Sequence, residues 1–207
     1  MADQTRAPSN WNLPNALTTL RIVLVPLFGY LLLRDGGDDV TSRWWAWAVF
    51  TAAILTDRID GDIARKRGLV TDFGKLMDPI ADKALTGMAF IGLSIIGELW
   101  WWVTIVVLGR ELGVTVMRFV MIRRYGVIAA SRGGKIKTAL QGFALAGFII
   151  PLQQFSGGWE PIGEALWWVA AAAMAGAVVV TLVTGVDYAR DALRLKREGP
   201  VVSPSTT

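Results

Sequence analysis

Apolar residues fall into six runs separated by short polar or charged stretches, at roughly 16–33, 44–56, 79–97, 100–121, 138–152 and 165–188. Most of them approach the ~20 apolar residues that a helix needs to cross a bilayer. The run at 44–56 is too short to cross alone, but suffices if its helix continues through Asp57 to Arg65 and its polar end leaves the membrane. The pattern predicts an all-α integral membrane protein of six transmembrane helices. A polar segment at 1–15 precedes the six-helix membrane domain at 16–190, and a polar tail follows at 191–207. The N-terminal segment lacks the charged-then-apolar pattern of a cleaved signal. There is no internal repeat.

The connecting segments alternate in charge. Arg65, Lys66, Arg67 and Lys75 follow the second run, and Arg123, Arg124, Arg132, Lys135 and Lys137 follow the fourth. The tail adds Arg190, Arg194, Lys196 and Arg197. Segments 97–99 and 153–164 carry no Lys or Arg, and 34–43 carries only Arg34 and Arg43. The positive-inside rule then predicts that both termini and the basic loops are cytoplasmic. Trp44, Trp45, Trp47, Trp100, Trp101, Trp102, Trp167 and Trp168 fall near the opposite helix ends, as an interfacial aromatic belt would. This placement of the basic residues explains the net charge of +4 better than a nucleic-acid partner does.

Composition narrows the chemistry. The 207 residues include no cysteine and no histidine. Thiolate nucleophiles, imidazole bases and His- or Cys-ligated metals are therefore excluded. A general base must be a carboxylate, Lys or Tyr, and a side-chain metal site must be built from oxygen, which favours Mg²⁺, Mn²⁺ or Ca²⁺.

The acids supply such a set. In LTDRIDGDIARKRGLVTDFGKLMDPIADKAL, residues Asp57, Asp60, Gly61, Ala64 and Arg65 follow i, i+3, i+4, i+7, i+8, one face of a helix. Gly74, Asp78 and Asp82 follow i, i+4, i+8, again one face. The first set ends the second span and the other begins the third, so a short turn makes the two helices antiparallel neighbours. Four carboxylates can then converge at the membrane edge. Like charges this close repel unless a cation intervenes. Asp57, Asp60, Asp78 and Asp82 could hold one or two Mg²⁺ or Mn²⁺ ions, two being the expectation, and these bind phosphate oxygens. Gly61 and Ala64 leave room for close approach, and Arg65 can pair with a phosphate.

Plainer readings stand beside this one. Asp78 before Pro79 is a sound helix start, with Asp as N-cap. Asp72 is a loop or capping residue. Asp62 points off the acidic face into solvent, and Lys66 and Arg67 set topology. Asp57 and Asp60 are harder to dismiss, because acids at a membrane edge are costly and mark function. Pairing with Arg65 or Lys83 is the alternative to metal.

The pattern D-x-x-D-G-x-x-A-R, eight residues, then G-x-x-x-D-x-x-x-D resembles the signature of the CDP-alcohol phosphatidyltransferase family, with all eight fixed positions filled. The resemblance implies a six-span catalytic domain with metal ligands at Asp57, Asp60 and Asp78. Asp82 would be a ligand, or the catalytic base that takes a proton from the acceptor alcohol. Gly61, Ala64, Arg65 and Gly74 would receive CDP-diacylglycerol. The implied reaction is attack of an alcohol on the lipid-bearing phosphate, releasing CMP. Arg58 stands where an aromatic is common in relatives, but off the acidic face.

Three further stretches resemble bacterial members of the family that use glycerol-3-phosphate. They are NLPNALTTLR at 12–21, GREL at 109–112 with Arg118, and AASRGGKIKTALQ at 129–141. Arg110 and Arg118 share a helix face, whereas Arg110 and Glu111 are adjacent and face apart. Arg110, Arg118, Lys135 and Lys137 form the expected pocket for the acceptor phosphate. The plainer alternative is snorkelling for Arg118 and topology for the two lysines, and Arg123 and Arg124 are read as snorkelling. Thr18 and Arg21 are candidates for the rim of the site. The resemblance implies a bacterial inner-membrane enzyme with its site facing the cytoplasm, as a homodimer. Inositol phosphate is the main rival acceptor, and a divalent-cation transporter is the rival from another class.

Overall fold

The computed structural model describes residues 13–67, 71–125 and 132–198. These form six α-helices: α1 (Leu13–Leu33), α2 (Val40–Arg67), α3 (Asp72–Ile95), α4 (Trp101–Tyr125), α5 (Arg132–Ile149) and α6 (Glu160–Glu198). No strand occurs among the described residues. Each apolar run has its helix, and α2 does continue through the acidic stretch, ending at Arg67.

By length and apolar composition, three stretches among the described residues suffice to cross a membrane: Asn15–Gly37, Ile136–Gln154 and Glu160–Arg194. The helices α2, α3 and α4 fall short because they carry charge. Asp57 and the residues after it end α2, Asp78, Asp82 and Lys83 occupy the first half of α3, and Arg110, Glu111 and Arg118 interrupt α4.

The chain divides into two compact units. The first comprises the chain up to Leu99, which holds α1 to α3, together with Leu145–Trp167. Within it α1 packs against both α2 and α3. Phe28 of α1 and Phe50 of α2 meet with ring centroids 5.4 Å apart, both buried. Against α3, Leu32 is buried over Gly92, where an added Cβ would lie 2.6 Å from the leucine. Small residues let membrane helices approach this closely, which is where their dispersion energy comes from.

The turn from α1 to α2 runs through Gly36 and Gly37 at φ +69° and +90°, values that glycine adopts without penalty. Asp39 then caps α2. Its carboxylate accepts the backbone N–H of Thr41 at 3.0 Å and of Ser42 at 3.3 Å, and the Ser42 hydroxyl at 2.8 Å. These donors hold the Asp39 carboxyl below the usual carboxylate range, the side-chain bond from Ser42 most of all.

One turn on, Arg43 is buried and fully engaged. Its guanidinium donates to the carbonyls of Gly37 (3.2 Å), Phe148 (2.8 Å) and Ile149 (2.8 Å), and reaches Glu98 Oε1 at 3.1 and 3.2 Å. Two of those carbonyls end α5, where no helical N–H remains to serve them. Arg43 is therefore a buried staple and not the exposed loop charge that its position among 34–43 suggests.

The second unit comprises Trp100–Ala144, which holds α4 and most of α5, and the chain from Trp168 on, most of α6. Its core includes Val103, Val107, Ala144, Met174 and Ala177.

Candidate active site

The N-terminal half of α1 carries a buried polar strip in an otherwise apolar helix. Asn15, Thr18 and Arg21 recur every three residues, 4%, 2% and 2% exposed. Each meets a residue of the acidic stretch. Arg21 Nη1 lies 2.5 Å from Asp57 Oδ1 of α2. The Thr18 hydroxyl donates to Asp78 Oδ1 of α3 at 2.5 Å, within the short range of charge-assisted O–H···O⁻ bonds. Asn15 Oδ1 accepts the Thr71 hydroxyl at 2.9 Å, and Thr71 Oγ1 in turn accepts the Gly74 N–H at 3.1 Å. A single helix thus fixes the register of both acidic segments.

These contacts decide between the two readings of Asp78. The helix does not start at Asp78 and Pro79. Thr71 is the N-cap of α3, in extended conformation at φ −105°, ψ 160°, and Pro79 lies inside the helix. Thr71 has the cap chemistry and, in addition, a buried partner in Asn15; Asp78 is thereby released from capping and turned to Thr18. The Asp78–Pro79 pair still has a local effect, since Pro79 cannot donate the helical hydrogen bond to the carbonyl of Lys75.

Asp57 is 38% exposed at its side chain, Asp78 is exposed and Asp82 is intermediate. The last lies one turn beyond Asp78, and its backbone carbonyl accepts the Thr86 hydroxyl at 2.8 Å. Gly74 is buried at the base of this arrangement. A Cβ there would lie 2.9 Å from Asn15 Oδ1 and 3.9 Å from Asp78 Oδ2, so only glycine leaves the Asn15–Thr71 contact undisturbed. The backbones of Asp60, Gly61, Ala64 and Arg65 are helical within α2; their side chains lie outside the described residues. Among the described residues no three acids are grouped closely enough to hold a metal ion.

The residues present nevertheless suit a hard divalent cation. The four signature acids offer oxygen donors only, and glycine at 74 keeps the space beside Asp78 free of a side chain. The holders would be Asp57, Asp60, Asp78 and Asp82.

In the second unit a different cluster joins α4, α5 and α6. Arg110 donates to the Thr184 hydroxyl at 2.8 Å and lies 3.4 Å from Glu111 Oε1. Lys137 of α5, buried, donates to the same Glu111 carboxylate. One helical turn beyond Thr184, Tyr188 meets Arg118, whose Nε lies 3.1 Å from the phenol oxygen. Arg110 and Arg118 therefore do share a face, both reaching α6. Glu111 does not face away from Arg110 as adjacency suggests, because both side chains are long enough to meet. Spacing gave Glu111 no role, yet it is the counter-charge between Arg110 and Lys137, two of the cations expected to bind the acceptor phosphate. The Lys135 side chain lies outside the described residues.

The family model for CDP-alcohol phosphatidyltransferases matches residues 11–183. The chain belongs to that family. It is 51% identical over 183 residues to a Mycobacterium tuberculosis protein named "Probable phosphatidylglycerophosphate synthase", covering 88% of this chain and 82% of that protein. A Bacillus subtilis protein named CDP-diacylglycerol–glycerol-3-phosphate 3-phosphatidyltransferase is 36% identical over 187 residues, covering 86% and 93%. A Rickettsia felis protein of the same name is 36% identical over 180 residues, again covering 86% and 93%.

Proposed function

We propose that this chain transfers the phosphatidyl group of CDP-diacylglycerol to glycerol-3-phosphate, giving phosphatidylglycerophosphate and CMP. The observation that carries this reading is the complete family signature laid along two helices, with Asp57 and Asp78 both held by α1. The names of the Mycobacterium, Bacillus and Rickettsia relatives support glycerol-3-phosphate over inositol phosphate.

In the proposed reaction the acceptor hydroxyl oxygen forms a bond to the lipid-bearing phosphorus as the bond to CMP breaks. Asp82 takes the hydroxyl proton. An alcohol is far too weak an acid to be ionised beforehand by a carboxylate, so the proton moves in concert with attack. Asp57, Asp60, Asp78 and Asp82 hold the divalent cations, two Mg²⁺ or Mn²⁺ ions. Bound there, such ions would supply positive charge against the diphosphate and the departing CMP. Gly61, Ala64 and Gly74 give the nucleotide close approach to the backbone, and Arg65 pairs with its phosphate. Arg110, Arg118, Lys135 and Lys137 bind the acceptor phosphate, with Glu111 holding Arg110 and Lys137 until it arrives.

Six spans, both termini and the site on the cytoplasmic face, and a bacterial inner-membrane location complete the proposal, with residues 16–190 as the catalytic domain. The charge asymmetry of the loops supports the orientation. Burial of Arg43 against Glu98 strengthens it, because that arginine is neutralised within the protein. The family resemblance supports a homodimer. The test is CMP release by the purified protein from CDP-diacylglycerol, with glycerol-3-phosphate, inositol phosphate, serine and phosphatidylglycerol offered separately. Release with glycerol-3-phosphate alone is expected. Preference for another alcohol would reassign the acceptor, and no release with any would return the transporter reading.

A further inference from the structure

Arg21 is the least expected charge in the molecule. It sits in the apolar helix α1 with its side chain 2% exposed, and a guanidinium cannot shed its proton to ease that burial. A buried cation needs an anion, and the anion here is Asp57, the first acid of the signature. The two ends of the pair differ. Arg21 is enclosed, whereas the Asp57 side chain is 38% exposed, so the carboxylate is gripped from the protein side and approachable from the other. Asp78 is gripped from the same helix by Thr18, but a hydroxyl brings no charge.

We propose that Arg21 is the resident counter-cation of Asp57: a positioning residue that holds the carboxylate aimed in the metal-free protein, and that lowers its affinity for a divalent cation. The proposal rests on the reading of Asp57 as a metal ligand. Two consequences have opposite signs. Without a divalent cation, Arg21 and the Asp57 carboxylate neutralise each other, so the pair stabilises the protein. With one, its fixed positive charge beside Asp57 opposes the incoming charge, so it weakens binding.

The experiment compares wild-type protein with Arg21→Gln in detergent micelles. Mn²⁺ binding is read by the loss of the free-ion electron paramagnetic resonance signal, and unfolding temperature is read with and without Mn²⁺. Arg21→Gln should unfold at a lower temperature than wild type in chelator, yet bind Mn²⁺ roughly tenfold more tightly, the scale of one charge-assisted contact. It should also gain more unfolding temperature from Mn²⁺ than wild type does. A merely structural role would lower stability and metal affinity together, so unchanged or weaker Mn²⁺ binding overturns the proposal. If Arg21→Gln does not purify, Arg21→Lys replaces it. That variant keeps the charge on a more mobile stem, and its Mn²⁺ affinity should exceed that of wild type by a smaller factor; equality or loss counts against the proposal. Wild-type protein that binds no Mn²⁺ and releases CMP equally well in chelator would remove the metal reading itself, a result distinct from the others.

Discussion

The Thr18 hydroxyl donates to Asp78 Oδ1 across 2.5 Å, joining residues sixty positions apart on α1 and α3. Valine at 18 keeps the shape and removes the donor, leaving Asp78 without the contact that aims it. Thr18→Val should lower the rate of CMP release roughly tenfold, the worth of one hydrogen bond to a charged group, while Thr18→Ser stays near wild type. Steady-state assays of both variants at saturating substrates check this.

The staple at Arg43 makes a stability prediction separate from the chemistry. Methionine there would leave Glu98, only 16% exposed at its side chain, without its cation and the last carbonyls of α5 without donors. Breaking a buried pair from one side costs about 3 kcal/mol or more. Arg43→Met should therefore show a clearly lower unfolding temperature, and adding Glu98→Gln should recover part of the loss. Thermal unfolding in one detergent, followed by helical circular dichroism, gives both values.

Acid should weaken the start of α2. Asp39 has its carboxyl lowered in the folded protein, chiefly by the Ser42 hydroxyl. A group lowered on folding contributes stability above its unfolded pKa, and that contribution is lost as pH falls through the folded value. The loss should therefore appear on the acid side of about pH 4, the ordinary carboxylate value. Asp39→Asn keeps a capping oxygen without the titration, so its unfolding temperature should fall less steeply than wild type over that range.

Helix existence was legible in the chain because long apolar runs broken by polar stretches favour helices, and each of the six runs has its helix. The extension of α2 past Asp57 was legible too, since the acids keep helical spacing. Spacing reports only which residues of one helix share a face. It could mark Asp57 and Asp78, and it could suggest Thr18 and Arg21 as rim residues. It could not pair Arg21 with Asp57, because that contact is made by packing α1 on α2. The start of α3 stayed open between two readings for a related reason: Thr71 and Asp78 both carry cap chemistry, and the choice is settled by Asn15, fifty-six positions away from Thr71. Arg43 looked like a loop charge because its partners Glu98, Phe148 and Ile149 lie 55, 105 and 106 positions away in sequence.

The proposed binding of cations by the acids of α2 and α3 is tested most directly by measuring Mn²⁺ binding and CMP release on the same preparations of wild type, Asp60→Asn and Asp82→Asn. With CDP-diacylglycerol and glycerol-3-phosphate, wild type should bind Mn²⁺ and lose CMP release in chelator. Asp60→Asn should lose both binding and activity, and Asp82→Asn should lose activity while keeping more of the binding. Full Mn²⁺ binding by Asp60→Asn, or CMP release by wild type that chelator leaves unchanged, would contradict the account.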